Sequence, residues 1–351
     1  MMLTKNNIAV VSDLHIGTHQ NDPLWHMYAM KFAEWFRDEI SKKGIKDIVI
    51  CGDINNDRDE ISVSSLHVLG KIFETWKDFN ILLIVGNHDA YYKDRSDVNS
   101  LSLFSGWPNI TIIDKLATIE KDGRKLSFAP WGTTLEEIPK SDILFGHFEI
   151  NGFYMSKAKC CLTGFDSKNI LEKSPLIISG HFHMREERKY KDIGEILFVG
   201  SPYEQSWGDY GTSSRGFYTL DVSTGKYEFI ENTLSPKHKK IRLSEIMSAE
   251  KITDSIRKDL KGNIVQLLVD QDIPQEKVDK LVVLLSSLGT INIKTEYVLE
   301  ERFSVEESTY NFDAVDIPAS ITEFVNIMDG LKYKEDVLKY VIELYKECSN
   351  E

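Results

Sequence analysis

The sequence contains no long hydrophobic run. Its longest apolar stretches, Ile81–Val85 and Leu281–Leu285, have about five residues each, whereas a membrane-spanning helix needs about 18 or more. The N-terminal residues MMLTKNNIAVV pass from a polar stretch straight into a strand-like run, without the hydrophobic region of a signal peptide. We therefore expect a protein that neither crosses a membrane nor is secreted, and that acts in the cytoplasm.

Cysteine is scarce. The four cysteines are Cys51, Cys160, Cys161 and Cys348, and their spacing is not that of a disulfide framework. Cys160 and Cys161 are adjacent, so they could pair with each other only under strain. This usage favours a reducing compartment.

An excess of basic residues is also absent. The formal net charge is −13 at pH 7, which argues against a generic basic protein that coats nucleic acid. It does not exclude an enzyme that acts on nucleic acid, because a bound metal pair supplies local positive charge that a count of side chains omits.

A length of 351 residues predicts about two domains. Up to residue 235, short apolar runs alternate with longer helical patterns at 24–43 and 62–77. This alternation is typical of an α/β fold, whose functional residues lie at the ends of strands. The predicted strands are Ile8–Val11, Ile48–Cys51, Ile81–Val85, Ile143–Phe145, Leu176–Ser179 and Ile196–Val199.

The composition changes after residue 235, which we take as the end of a first domain, 1–235. Residues 236–240 (PKHKK) indicate a short basic linker into a small α+β capping domain, 236–300, with strands at Asn263–Val269 and Thr290–Tyr297 and a helix at Gln275–Ser287. The acidic, aperiodic residues 301–318 predict a linker. Residues 319–351 contain two amphipathic helical stretches separated at Gly330.

Five of the predicted strands end in a turn that carries potential metal ligands. The turns are Ser12-Asp13-Leu14-His15, Gly52-Asp53, Gly86-Asn87-His88-Asp89, Gly146-His147 and Gly180-His181-Phe182-His183. We expect all five at one edge of one sheet. Because side chains alternate along an extended chain, Asp-x-His and His-x-His would each place two ligands on the same side. The glycines permit sharp turns and close approach to an ion.

A single Gly-His pair more often marks a hydrogen-bonded core histidine, and Asp-Gly and Asn-His pairs are common in turns. Five of the nine histidines nevertheless fall in these five turns, which favours a metal site. Carboxylate, amide and imidazole ligands suit Mn²⁺, Fe or Zn²⁺, and the absence of thiolates argues against structural zinc. Seven ligands suit two ions about 3.5–4 Å apart with a shared bridge, an arrangement that clamps the attacking and leaving oxygens of a phosphate ester.

This set of turns resembles the calcineurin-like metallophosphoesterases. The stretches GHFEINGFY (146–154), SGHFHM (179–184), VGSPYEQSWGD (199–209) and RGFYTLDVSTG (215–225) are similar to the SbcD-type DNA repair nucleases, the meiotic-recombination-eleven family, and most of all to its branch in T4-like bacteriophages. The resemblance covers almost the whole chain and is weaker in the capping region. It implies an α/β fold of four layers, a β-sandwich flanked by helices, followed by the α+β cap and C-terminal helices.

The resemblance also implies roles for individual residues. Asp13, His15 and His183 would hold a first metal ion, and Asn87, His147 and His181 a second, with Asp53 as the bridge. The ions would be two divalent cations, Mn²⁺ or alternatively Mg²⁺. His88 would act on the phosphate or protonate the leaving oxygen.

Three further residues lie close to this set. Asp89 would orient His88, although Asp89 could also be a simple turn residue. Asn56 occupies a position at which the family usually has Asp or His, and with Arg58 it is a candidate for contact with DNA or for support of the site. Asn56 cannot donate a proton as a protonated His could.

The implied function is a nuclease at DNA double-strand ends and single strands, in recombination and repair. Its implied partners are DNA, an SMC-like coiled-coil ATPase of the SbcC type bound through 319–351, and a second copy in a homodimer, in the host cytoplasm if the chain is phage-encoded. Aromatic residues near the motifs could stack on bases, although core packing is the commoner role. They are Trp25, Tyr91, Tyr92, Trp131 and Trp207.

Two other classes of function stay open. One is a protein phosphatase or a small-molecule phosphodiesterase, which is weakened because GDINNDR (52–58) and GNHD (86–89) depart from the Gly-Asp-x-Val-Asp-Arg-Gly and Gly-Asn-His-Glu of the related protein phosphatases. The other is a DNA-end scaffold for the ATPase with an incidental nuclease. The complete set of ligands disfavours an inert site.

Overall fold

The computed structural model describes residues 3–248, 253–298, 322, 325–326 and 333–349. The strands are β1 (Asn7–Val11), β2 (Asp47–Ile50), β3 (Asn80–Ile84), β4 (Ile110–Ile113), β5 (Ala117–Lys121), β6 (Arg124–Ala129), β7 (Ile143–His147), β8 (Tyr154–Ser156), β9 (Lys159–Cys160), β10 (Leu176–Gly180), β11 (Glu186–Tyr190), β12 (Gly194–Phe198), β13 (Gly216–Asp221), β14 (Lys226–Glu231), β15 (His238–Arg242), β16 (Ile264–Val269) and β17 (Asn292–Tyr297). The helices are α1 (Thr18–Asn21), α2 (Pro23–Lys42), α3 (Val63–Thr75), α4 (Ser167–Leu171), α5 (Leu243–Ser248), α6 (Asp254–Leu260), α7 (Gln275–Ser287) and α8 (Lys334–Ser349).

Two six-stranded mixed sheets form the centre of the fold. The first has the order β14-β13-β1-β2-β3-β4 and the second the order β11-β12-β10-β7-β6-β5. Alternate residues of β1 pack into two different hydrophobic cores. Ile8 and Val10 lie in the core between the sheets, whereas Ala9 and Val11 lie in the core under the helices, as the period of two in a strand requires.

Helix α2 begins where Asp22 accepts a hydrogen bond from Leu24 N at 2.8 Å, with Pro23 in the first helical position. Its buried residues include Phe32 and Phe36, which share the outer core of the first sheet with α3. On the outer face of the second sheet, a third core includes residues of α4. Helices, two sheets and this outer layer make four layers, which confirms the predicted α/β sandwich.

A small parallel sheet, β15-β16-β17, has its own apolar core with residues from α5, α6 and α7. The prediction of a linker over 236–240 is wrong from residue 238 onward. β15 begins at His238, pairs in parallel with β16, and buries His238 and Ile241. The three lysines of PKHKK obscured this strand.

The chain divides into two compact units, 1–298 and 299–351. In the second unit, α8 carries the partly buried Val337, Leu338, Val341 and Ile342, with exposed residues such as Lys339 between them, so this predicted helix is present. Linker 301–318 and most of the first amphipathic stretch lie outside the described residues, and the domain boundaries stay predictions. Among the described helices, none combines the length and hydrophobicity that a bilayer crossing requires.

Candidate metal centre

The five ligand-bearing segments meet at one rim of the sandwich, but they come from two sheets. Four of them carry their ligands in turns, whereas His147 is the last residue of β7. β1, β2 and β3 belong to the first sheet, and β7 and β10 to the second. The expectation of a single sheet is therefore wrong. The apolar pattern of an isolated strand shows that it is buried, but it does not show which sheet the strand joins. The two sheets face each other, so their parallel strands end at the same rim.

Asp13, His15 and His183 form the first group of candidate ligands. His15 Nε2 lies 3.0 Å from His183 Nε2 and 4.0 Å from Asp13 Oδ1. Asp13 and His15 are buried. The potential ligand atoms of the three residues all lie within 4.8 Å of one another, so they are close enough to bind one ion.

Asn87, His147 and His181 form the second group. Asn87 Oδ1 lies 2.8 Å from His147 Nε2 and 2.8 Å from His181 Nδ1. Asp53 stands between the groups, because its Oδ2 lies 3.6 Å from His15 Nε2 and 3.3 Å from His147 Nε2. The structure thus brings together all seven residues that the resemblance implies, with Asp53 in the position of a bridge.

The turns reach this geometry through unusual backbone conformations. Asp13, His15, Asp53 and His181 have φ values of 56°, 47°, 52° and 93°, in the left-handed region that residues other than glycine seldom adopt. The Asp-x-His and His-x-His pairs are therefore not extended, and the alternation argument for them is wrong. Several strained residues in one place are typical of a functional site.

Gly52 shows why a glycine must precede Asp53. Its φ is +92°, and a Cβ there would lie 2.4 Å from His147 Nδ1. Any side chain at Gly52 would therefore displace an imidazole of the second group. The same imidazole is fixed by a contact of 2.7 Å between its Nδ1 and the carbonyl oxygen of Cys51.

The electrostatics of the site favour cations. Burial raises the pKa of Asp53, but His147, His15 and His88 outweigh that effect and hold the pKa well below its usual range. Burial and the neighbouring His147 lower the pKa of His181 to about 3. Burial lowers the pKa of His15 as well. Burial opposes protonation of His147, but the carboxylate of Asp53 outweighs it and raises the pKa of His147 to about 9. Asp53 and the imidazoles of His15 and His181 therefore present lone pairs without protons, whereas His147 must release a proton before it can bind a metal.

His88 lies beside the ligand groups. Its backbone N donates to Asp53 Oδ1 at 2.8 Å, and its ring stands edge-on to His15 with the centroids 4.7 Å apart. Its Nδ1 lies 2.5 Å from the backbone oxygen of Asn56. The backbone at position 56 therefore orients His88, and this contact is the same whether the side chain is Asn, Asp or His.

Asp89 does not orient His88, contrary to expectation. Its buried carboxylate accepts hydrogen bonds from the backbone N–H groups of Ile54, Asn55 and Gly86 at 3.1, 3.0 and 3.0 Å. Burial and the charge of Asp53 raise the pKa of Asp89 to about 7. The residue ties the turn after β2 to the turn after β3 and supports both through the backbone.

A groove opens from His88. It has a volume of about 640 Å³, and its lining includes Asn56, Arg58 and Ser62. The Asn56 side chain is partly buried and donates to Asp57 Oδ1 at 3.1 Å. The two residues predicted to contact DNA or support the site therefore lie on the wall of a groove that reaches His88.

Two supporting residues were missed. Tyr203 Oη donates to Leu14 O at 2.6 Å, and Gln205 Nε2 donates to Asp13 O at 2.7 Å. Both are buried, and together they fix the turn that carries the first group. Their only signal was the stretch VGSPYEQSWGD, which matched the family pattern but suggested no role for either residue.

Residues 7–185, about half of the chain and the part that contains all seven predicted ligands, match the calcineurin-like phosphoesterases. The chain belongs to that family. It is 28% identical over 355 residues to exonuclease subunit 1 of Enterobacteria phage T4, across 93% of this chain and 97% of that protein. Among solved structures, a dimetal phosphatase from Danio rerio gives a TM-score of 0.40 at 11% identity, over 62% of this chain and 92% of the other. A 5'-nucleotidase precursor from Thermus thermophilus gives 0.33 at 10% identity, over 63% and 53%.

Calcineurin-like phosphoesterases use a dinuclear metal site, and this chain is accordingly a metal-dependent hydrolase of phosphate esters. The residues fit such a pair of ions. Two sets of three donors converge separately, and one carboxylate oxygen lies within 3.6 Å of an imidazole of each set. All seven donors are oxygen or nitrogen, the ligands that suit Mn²⁺, Fe and Zn²⁺ in catalytic sites.

Proposed function

We propose that this calcineurin-like phosphoesterase is a Mn²⁺-dependent DNA nuclease that hydrolyses phosphodiester bonds at DNA ends in recombination and repair. The similarity to exonuclease subunit 1 of phage T4 along 93% of the chain supports DNA as the substrate. The convergence of six candidate ligands around Asp53 is the observation that carries the catalytic part of the proposal.

The ligands divide between two ions. Asp13, His15 and His183 would hold the first, and Asn87, His147 and His181 the second, with Asp53 available to both. When bound, such a pair of divalent ions neutralises charge on the phosphoryl oxygens and lowers the pKa of water for in-line attack.

The other residues act on the substrate. His88, held through Nδ1 by the carbonyl of Asn56, turns its Nε2 to the phosphate, where it stabilises developing charge or delivers a proton to the leaving oxygen. Arg58, on the wall of the same groove, offers a cation to a DNA phosphate next to the one that is cleaved.

We assign a role in binding a partner protein to the second unit of the chain. Helix α8 carries apolar side chains at 337, 338, 341 and 342, a stripe of the kind that packs on another helix. We assign 319–351 to the coiled coil of an SMC-like ATPase, with which the nuclease, as a homodimer, forms a complex in the cytoplasm.

One experiment tests the activity against its alternatives. The purified chain is incubated with end-labelled duplex DNA, a phosphopeptide and a cyclic nucleotide, each with Mn²⁺ and with EDTA. We expect Mn²⁺-dependent shortening or cutting of DNA that EDTA abolishes. Turnover of the phosphopeptide or the cyclic nucleotide with intact DNA would instead establish a phosphatase or a small-molecule phosphodiesterase, and DNA binding without cleavage in any divalent metal would favour a scaffold.

A further inference from the structure

Trp131 differs from the other aromatic residues near the motifs, because its ring lies directly against two metal-ligand imidazoles. Its ring centroid lies 5.2 Å from that of His181 and 6.0 Å from that of His147. By contrast, Trp25 is buried and stacked on His19.

The remaining three aromatic residues have other neighbours. Trp207 contacts His238 and lies under Lys240. Tyr92 contacts Tyr91 edge-on and has the Arg95 guanidinium 4.0 Å from the centre of its ring.

The backbone and the indole N–H hold the Trp131 ring in place. Trp131 N donates to Val85 O at 2.9 Å, directly before the turn that carries Asn87. The indole Nε1 donates to Lys93 O at 2.7 Å. Its polar atom is therefore satisfied, and the ring can offer its face without leaving a buried donor unpaired.

The next residue strengthens this anchor. Gly132 has φ +84°, and a Cβ there would lie 2.4 Å from Asp94 O. The turn at Gly132 therefore packs closely on the loop around Asp94, which follows Asn87 and His88 in the chain. The ring is thus fixed before any ligand arrives, which reduces the entropic cost of binding.

A cavity of about 470 Å³ lies beside the ring and reaches the second ligand group. Trp131 and His147 line it together with the apolar Leu135, Phe148 and Phe165. Its charged lining residues are Lys93, Glu136 and Glu149. Its volume lies within the range of about 300–1,000 Å³ that is typical of small-ligand pockets, which are mainly apolar with few polar groups. A flat apolar group next to the metal centre matches these walls.

We propose that this cavity is a subsite for a nucleobase, in which Trp131 stacks on the base of the nucleotide directly joined to the phosphate that is cleaved. This inference rests on the proposed DNA nuclease activity and identifies a residue that positions the substrate. Because the Trp131 ring contacts His147 and His181, it lies next to the metal centre. A base one or more nucleotides away from the cleaved phosphate would lie too far from the ring to stack on it. Stacking tolerates every base, so the subsite positions DNA ends without selecting a sequence.

The test compares DNA with and without the base. Two duplexes carry an abasic analogue on either the 5' or the 3' side of one scissile phosphate, and kcat/KM for that bond is measured in Mn²⁺. For the wild-type protein we expect a loss of about 5- to 100-fold for one of the two duplexes, the scale of one base–aromatic stack. Trp131→Ala should show a similar loss on intact DNA and no further loss on that abasic duplex, whereas Trp131→Phe should retain most of the rate.

A binding readout does not require catalysis. In EDTA, a deoxynucleoside monophosphate should quench tryptophan fluorescence and deoxyribose 5-phosphate should not. The quenching should disappear in Trp131→Phe and persist in Trp107→Phe, a control indole that packs on Phe73 and Phe104 in the outer core of the first sheet.

Three results would overturn the subsite. The first is an equal kcat/KM of the wild-type protein on the intact duplex and on both abasic duplexes. The second is an equal loss of kcat/KM in Trp131→Ala on all three duplexes. The third is fluorescence quenching that persists in Trp131→Phe. A wild-type protein that cleaves no DNA would instead contradict the proposed function itself, so the two failures are distinguishable. If Trp131→Ala does not fold, the wild-type comparison of substrates and the Trp131→Phe fluorescence still decide the question.

Discussion

The Nε2 atoms of His15 and His183 lie 3.0 Å apart, although 168 positions separate the two residues in the chain. Two imidazoles can share only one proton at such a contact, and burial already lowers the pKa of His15. A bound metal ion would satisfy both lone pairs at once. The contact also joins two sheets, because His15 follows β1 and His183 follows β10. Metal binding is therefore expected to tie the two sheets together.

Replacement of Asp53 by alanine should remove both metal ions. Its Oδ2 is the atom that lies near imidazoles of both groups, at 3.6 Å from His15 and 3.3 Å from His147, so neither site keeps its shared carboxylate. We expect metal content, measured by inductively coupled plasma mass spectrometry after dialysis, to fall from two ions per chain to near zero, with loss of nuclease activity.

The matched control for this variant is Asp78→Ala, at an exposed carboxylate far from the rim. It should retain two ions and full activity. If Asp53→Ala kept both ions or cleaved DNA at the wild-type rate, Asp53 would not be the bridge.

Replacement of His88 by alanine should separate catalysis from metal binding. His88 contacts Asp53 through its backbone N–H, and its ring Nδ1 is held by Asn56 O. One ring nitrogen of His88 also lies within 4.8 Å of ligand atoms of His15 and Asp53, so metal content must be measured together with the rate. The cleavage rate should fall by about 10²- to 10⁴-fold, the usual scale for loss of a general acid or base, while metal content stays near two. His67→Ala, at an exposed histidine of α3, is the control and should be fully active. Loss of one ion in His88→Ala would make His88 a ligand instead.

Replacement of Asp89 by alanine should reduce stability. Three buried backbone N–H groups, those of Ile54, Asn55 and Gly86, would lose their acceptor, and unsatisfied buried donors are costly. We expect the free energy of unfolding in urea to fall by about 2–4 kcal/mol, with a change below about 0.5 kcal/mol for the surface variant Asp78→Ala. Equal unfolding midpoints for the two variants would show that Asp89 is only a turn residue.

Removal of the second unit should separate partner binding from the nuclease. Residues 1–298 form a compact unit of their own, with separate apolar cores for the sandwich and the small sheet. A chain that ends at Glu307 should therefore keep its melting temperature and its Mn²⁺-dependent nuclease, and lose co-purification with the ATPase. Aggregation of this shorter chain, or full recovery of the ATPase with it, would contradict the assignment of 319–351.

The chemistry of the site could be predicted from the sequence because it depends on residue types at strand ends. Asp13, Asp53 and His147 each follow a short apolar run, and buried strands of an α/β fold end on one side of the molecule. The family pattern then divided the seven ligands into the two groups that the structure brings together. To predict that these ligands lie together, it was enough to recognise that the strands are buried and parallel.

The details that the sequence did not predict depend on the backbone and on distant contacts. The left-handed φ of Asp13 and His181 arises from the way the turns fit between two sheets, and alternation along a strand cannot anticipate it. The carbonyl that holds His88 is a backbone atom of Asn56, so the side chain at that position gave no signal. Tyr203 supports Leu14 across 189 positions, and no local pattern reports such a contact.

The most direct test of the metal centre is an anomalous difference map, recorded at the manganese absorption edge from crystals grown with Mn²⁺. We expect two peaks, one in contact with Asp13, His15 and His183 and the other with Asn87, His147 and His181, both within bonding distance of Asp53. A single peak, or two peaks of which neither contacts Asp53, would contradict the two-metal account.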